Sequence, residues 1–140
     1  MKTVLTIGVF DLLHTGHLNL FKRAAELGDL IVAIPTSDGA KRAKGKEVVM
    51  SFEERFRVVN ALECVYMTIG FEDNDGAEKI VELIKPDIIC RADDWEDFPG
   101  SKTAKRLGIK IIYLPYTIGI STTAIKDKIC LTQCSKQKKS

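Results

Sequence analysis

Two histidines three residues apart stand in the stretch GVFDLLHTGH, residues 8–17. His14 and His17 enclose Thr15 and Gly16, and Asp11 lies three residues upstream. These residue types at this spacing offer three readings. Two imidazoles and a carboxylate could ligate a metal such as zinc. A histidine could simply open a helix. Or imidazoles at a strand-to-helix turn could handle phosphate, donating hydrogen bonds and carrying the charge that grows in a transition state. These are the chain's only two histidines, and zinc sites with three protein ligands more often take their spacing from one helix, so the metal reading is the weaker. Gly16 lets the backbone come close to a ligand. A helix beginning near His17 would aim free N–H groups and a positive dipole end at an anion.

The elements that must carry this stretch alternate along the chain. Apolar runs of strand length occupy residues 3–9, 30–35, 64–69, 87–91 and 110–115. Helical patterns fill 17–27, 51–63, 75–85 and 121–131. Leu20, Phe21, Ala24 and Leu27 share one face of the first helix. Ser51 with Glu54 three residues later reads as a capping box, and Pro86 stops the third helix. Residues 36–50 read as a polar, basic loop, and 96–109 carry no assigned element. Strands apolar throughout, alternating with helices, predict an α/β, Rossmann-like three-layer fold: a five-stranded, mostly parallel sheet with helices on both faces. Ligands in such sheets bind beyond the carboxyl ends of the strands, near the switch point. That places Gly8–His17, residues 91–95 and residues 116–122 on one rim.

Composition sets the outer bounds. The chain has 140 residues, 45% of them hydrophobic and 29% charged, which suits one folded domain rather than a disordered chain. We expect the domain over 1–134 and a basic, polar, frayed tail over 135–140. A net charge of +2 gives no argument for nucleic acid. Asp11, His14 and His17 interrupt the apolar N-terminus too early for a secretory segment, and no run has the length of a membrane span. Cys64, Cys90, Cys130 and Cys134 form no CxxC pair. They read as free thiols, mostly in the core, in a reducing cytoplasm. Cys130 and Cys134 are four apart on a predicted helix, a spacing that chance explains. The expected partners are small molecules and a second copy of the chain.

At GVFDLLHTGH the sequence resembles the HxGH signature of the cytidylyltransferase branch of the nucleotidyltransferase superfamily, and most of all the glycerol-3-phosphate cytidylyltransferases. Further segments follow in order. SFEERFRVV (51–59) resembles that family's helix with an essential arginine. ADDWE (92–96) resembles its GDDW segment, and GISTTAIKDK (119–128) its second signature.

The resemblance implies transfer of CMP from CTP to a small phosphorylated alcohol, such as glycerol 3-phosphate or a related phosphate or phosphonate, with release of pyrophosphate. The substrate's own phosphate oxygen attacks, so the protein positions groups and stabilises charge. By resemblance His14, His17, Lys44 and Arg55 are catalytic. Gly8, Val9, Phe10, Asp11, Thr15, Gly16, Lys46, Asp94, Gly119, Ile120, Ser121 and Thr122 bind the nucleotide, with Asp11 orienting the turn and its histidines. Lys44, Arg91, Asp93, Trp95 and Tyr116 meet the acceptor. No resident metal is implied, and Mg2+ is expected bound through the triphosphate. A homodimer is also implied. The same fold leaves two alternatives: an ATP-dependent adenylyltransferase, and a nucleotide-binding protein without turnover.

The chain departs from the family pattern at four places. Glu63 stands where the family has arginine, and Ala77 where it has lysine. Tyr116-Thr117-Ile118-Gly119 replaces R-T-E-G, and Arg91-Ala92 precedes Asp93-Asp94-Trp95 where the family has M-G. Three basic positions expected near phosphate are thus replaced, and Arg91 is gained.

Overall fold

The computed structural model describes residues 1–36, 38, 48–92, 96–114 and 122–138, with side chains up to residue 131. Among the described residues five strands and five helices alternate: β1 (Thr3–Ile7), α1 (Thr15–Ala25), β2 (Asp29–Pro35), α2 (Phe52–Asn60), β3 (Met67–Phe71), α3 (Asn74–Ile84), β4 (Ile88–Arg91), α4 (Ser101–Leu107), β5 (Lys110–Tyr113) and α5 (Thr122–Lys138). The strands form one sheet in the order β3-β2-β1-β4-β5, with every pair parallel. The expected Rossmann-like α/β fold is therefore present.

Burial explains the order. β1, β2 and β4 are apolar on both faces and lie in the middle. The edge strands β3 and β5 expose Met67 and Tyr113. One face packs Val4, Leu30, Val32 and Cys90 against Phe21 and Ala24 of α1 and Val59 of α2. The other packs Leu5, Ile31 and Ile89 against Ala77, Ile80 and Val81 of α3 and Ala104 of α4. The chain leaves β1 toward one edge and returns at β4 toward the other, so the switch point lies between the carboxyl ends of β1 and β4.

Several boundaries move. The third strand begins at Met67 rather than residue 64, because Cys64 and Val65 pack on the core from the preceding turn. A helix unassigned from sequence, α4, fills 101–107. Its N-cap Gly100 has φ 94° and no side chain to cap with; a Cβ there would lie 2.8 Å from Val81 Cγ2. Glu78 of α3 supplies the cap, accepting from the Lys102 and Thr103 amides at 3.1 Å. α5 continues past Leu131 to Lys138. Pro86 acts as expected: α3 ends at Ile84, and Lys85 takes the left-handed conformation.

The cysteines are less uniformly internal than expected. Cys90 is buried, and burial pushes its thiol up to about 11, while Cys64 is half-buried and Cys130 exposed. Among the described residues no helix is long and apolar enough to cross a membrane.

Candidate active site

β1 delivers the chain to the rim at Gly8, whose amide donates to the Ala33 carbonyl at 3.1 Å. A Cβ at Gly8 would lie 2.7 Å from the tip of the Phe10 ring, so the ring needs a glycine beneath it. Phe10 and Leu12 both hold positive φ, 53° and 49°. Two non-glycine residues in that region within three positions mark a turn held by its surroundings against local preference. Phe10 is buried edge-on against His17 and Phe21.

His14 is the N-cap of α1, and it forms a capping box with a second histidine. The Gly16 amide donates to His14 Nδ1 at 3.0 Å, and the His14 amide donates to His17 Nδ1 at 3.2 Å. An Nδ1 that accepts from an amide carries no proton. The bonding pattern therefore assigns both neutral rings the Nε2–H tautomer, each with a donor at Nε2. Burial pushes His14 below its ordinary pKa, favouring the neutral form. The Gly16 amide is thus occupied by His14. Thr15 is exposed at the helix's first position.

Asp11 is almost fully buried, and it does not grip the histidines as expected. Its carboxylate accepts from the Val49 amide at 2.7 Å and the Met50 amide at 2.9 Å, with Lys126 Nζ at 3.5 Å. Its carbonyl accepts from Thr122 Oγ1 at 2.8 Å. Burial alone would raise its pKa, but the two amides and Lys126 outweigh burial and hold it below the usual carboxylate range. One residue thus ties the β1–α1 turn to the entrance of α2 and the start of α5.

Arg55 lies beneath this turn at 1% exposure. It donates from Nη1 to the Val9 carbonyl at 3.1 Å and the Pro35 carbonyl at 2.9 Å, and from Nε to the Met50 carbonyl at 3.2 Å. Burial lowers its pKa while nearby Asp11 opposes the shift. The arginine expected to reach the active site from its helix is thus engaged with the backbone of three rim segments.

Arg91 also turns inward. It is buried, donates from Nη1 to the Ile7 carbonyl at 2.8 Å, and stacks 4.6 Å over the Phe98 ring. Its guanidinium thus gives a donor to the last carbonyl of β1, beside the switch point.

Two departures from the family pattern also lie elsewhere than expected. Ala77 is fully buried on the α3 face of the sheet, so it is a core position. Glu63 follows the end of α2, just before Tyr66 donates to the Leu30 carbonyl near the start of β2. It sits at the amino ends of the strands, away from the rim of its own chain.

The structure therefore brings together Gly8, Val9, Phe10, Asp11, His14, Thr15, Gly16, His17, Arg55 and Thr122. Lys44, Lys46, Asp93, Asp94, Trp95, Tyr116, Gly119, Ile120 and Ser121 lie outside the described residues. The sequence reading missed Val49 and Met50, which act through backbone amides and carry no side-chain signal. It also missed Lys126, four residues after Thr122 on the same helix face. His14, His17 and Asp11 do not gather as a metal set, since both Nδ1 atoms and the carboxylate are already taken. Among the described residues no group of three or more His, Cys, Asp or Glu could hold a metal.

The family model for cytidylyltransferase-like proteins matches residues 5–128. The chain belongs to that family. It is 39% identical over 134 residues to the bifunctional protein HldE of Escherichia coli O1:K1 / APEC, covering 93% of this chain and 28% of that protein. HldE of Escherichia coli O139:H28 (strain E24377A / ETEC) is 39% identical over 132 residues, covering 91% and 28%. The chain thus spans little more than a quarter of the length of these curated relatives. Among solved structures, the lipopolysaccharide core biosynthesis protein from Thermoplasma volcanium GSS1 superposes with a TM-score of 0.71 at 28% identity, covering 84% of this chain and 98% of that one. A protein of unknown function from Archaeoglobus fulgidus shares the fold at TM-score 0.64 and 19% identity, covering 86% and 94%.

Proposed function

We propose that this cytidylyltransferase-like domain transfers CMP from CTP to a small phosphorylated alcohol or sugar phosphate. An oxygen of the acceptor phosphate bonds to the α-phosphorus. The bond from that phosphorus to the bridging oxygen breaks, and pyrophosphate leaves with the electron pair. No enzyme nucleophile takes part, so the work is positioning and charge stabilisation.

The observation that best supports this reading is the paired histidine cap. His14 and His17 each carry an Nε2–H donor at the positive end of α1, beside the switch point where such sheets take ligands. Two neutral donors can follow the charge as it shifts between phosphate oxygens without losing a proton. Lys44, Lys46, Ser121 and Thr122 are assigned to the phosphates on the strength of the resemblance. Mg2+ is expected to come with the triphosphate, held by its oxygens, and would neutralise charge there. Asp11, already engaged by two amides and Lys126, is given no ligand role.

A second reading keeps the chemistry and exchanges the base. The 28% identity to a lipopolysaccharide core biosynthesis protein favours a sugar phosphate acceptor, and the shared fold serves ATP as well as CTP. Residues 93–95 lean toward cytosine by resemblance. The deciding experiment measures pyrophosphate release with CTP and with ATP, each against glycerol 3-phosphate, choline and ethanolamine phosphates, sugar phosphates and phosphonates. Turnover with CTP and one acceptor is expected. Turnover with ATP alone moves the assignment to the second reading. No turnover and no binding of either nucleotide by calorimetry overturns both.

A further inference from the structure

Over residues 122–131 α5 is attached along a narrow stripe. Thr122, Ile125 and Lys126 are half-buried, while Thr123, Ala124 and residues 127–131 are exposed. A helix start that buries so little owes its placement to a few specific contacts. Two of these come from residues four apart on one face, and both fall on the same partner. Thr122 Oγ1 donates to the Asp11 carbonyl at 2.8 Å, and Lys126 Nζ stands 3.5 Å from Asp11 Oδ2. The Asp11 carboxylate already accepts from the Val49 and Met50 amides. Lys126 is therefore not required for its hydrogen bonding. What the lysine adds is a charged tie from α5 to a residue fixed rigidly in the β1–α1 turn.

We propose that Lys126 is a positioning residue that acts through Asp11, holding the first turns of α5 in register with the turn that carries His14 and His17. Its consequence for activity rests on the nucleotidyl-transfer reading, in which the start of α5 meets the triphosphate. An undocked α5 leaves the two halves of that site apart. A nucleotide touching both halves then binds only the docked fraction.

The test compares the free wild-type protein with Lys126→Met and Lys126→Arg by amide hydrogen exchange read by mass spectrometry. Methionine keeps the length of the stem and removes the charge; arginine keeps the charge. We expect exchange in the first two turns of α5 to rise about fivefold in K126M, the size of a partly buried ion pair, and to return to the wild-type rate in K126R. In an Asp11→Asn background K126M should add little. Equal exchange in wild type and K126M overturns the proposal. So does equal acceleration in K126M and K126R, or an undiminished effect of K126M with Asp11 replaced. None of these readouts needs a nucleotide, so failure of the enzyme reading is seen separately, as absence of CTP and ATP binding to the wild type. Where the wild type turns over, K126M should raise the nucleotide KM and leave kcat at saturation near wild type. A fall in kcat with KM unchanged counts against a positioning role.

Discussion

The His14 and His17 rings stack with centroids 3.8 Å apart and planes 22° from parallel. Two protonated imidazoles would not rest in that arrangement, and neither ring can take a proton at Nδ1 without losing an amide partner. The stack and the capping box are one device. The bonds that start α1 also fix the tautomer of both histidines.

Nitrogen-15 spectra of the imidazoles should show Nε2–H on both rings at neutral pH, with His14 titrating below its ordinary value of 6.5. A histidine with a depressed folded pKa binds fewer protons folded than unfolded. Stability should therefore be complete above pH 6.5 and fall as pH drops toward the folded value. Denaturant unfolding from pH 7.5 to 5 reads this slope. An Nδ1–H signal on either ring at pH 7 contradicts the assignment.

Cap and chemistry at His14 can be separated. His14→Ala loses both the cap and the donor. It should cost about 1 kcal/mol of stability and at least about a hundredfold in turnover. His14→Asn keeps a side-chain acceptor suited to a helix start. It should recover most of the stability and little of the turnover. Thermal unfolding beside pyrophosphate release reads both. Recovery of turnover in H14N would show that only the cap matters.

Arg55→Met leaves the Val9, Pro35 and Met50 carbonyls without their buried donor. The expected cost is about 3 kcal/mol or more. Arg55→Lys keeps a charge but lacks the fork, so it should recover only part of this. Urea unfolding at pH 7 measures both variants, and a loss below about 0.5 kcal/mol in R55M would remove Arg55 from the scaffold of the rim.

The fold was legible where burial is uniform along a strand. β1, β2 and β4 read directly because Val4–Ile7, Leu30–Pro35 and Ile88–Cys90 are unbroken runs of apolar or small residues. α4 was not legible, because its cap comes from Glu78, more than twenty residues earlier. At the site, the histidine turn showed itself through residue type and spacing. The partners of Asp11 did not, because backbone amides 38 and 39 residues away leave no mark in composition. Arg55 and Arg91 were visible as charges. The backbone carbonyls they meet were not, since Pro35 and Ile7 lie 20 and 84 residues away in sequence and a carbonyl carries no side-chain signal.

Ala77 tests that lesson. By family pattern Ala77→Lys restores a basic residue. By position it forces an ammonium into a fully buried site among Phe71, Ile80 and Val81. The variant should lose about 3 kcal/mol or more and gain no affinity for CTP. Tighter CTP binding by a stably folded A77K protein would return this position to the phosphate site.

Asp11 carries the last prediction. Burial pushes its pKa up, while the Val49 and Met50 amides and Lys126 pull it down further, so its net value lies below 3.8. A carboxylate depressed on folding contributes stability that is present above 3.8 and is lost as pH falls through the folded value. Asp11→Asn presents one oxygen and one NH2 group to two amide donors. At pH 7 it should cost about 1–3 kcal/mol. In acid the wild-type carboxyl becomes protonated and loses one acceptor as well, so the two unfolding curves should converge below pH 3.8. Urea titrations at pH 7, 5, 4 and 3 follow the gap. A gap that stays constant across this range would mean that Asp11 holds the β1–α1 turn through its carbonyl bond to Thr122 alone.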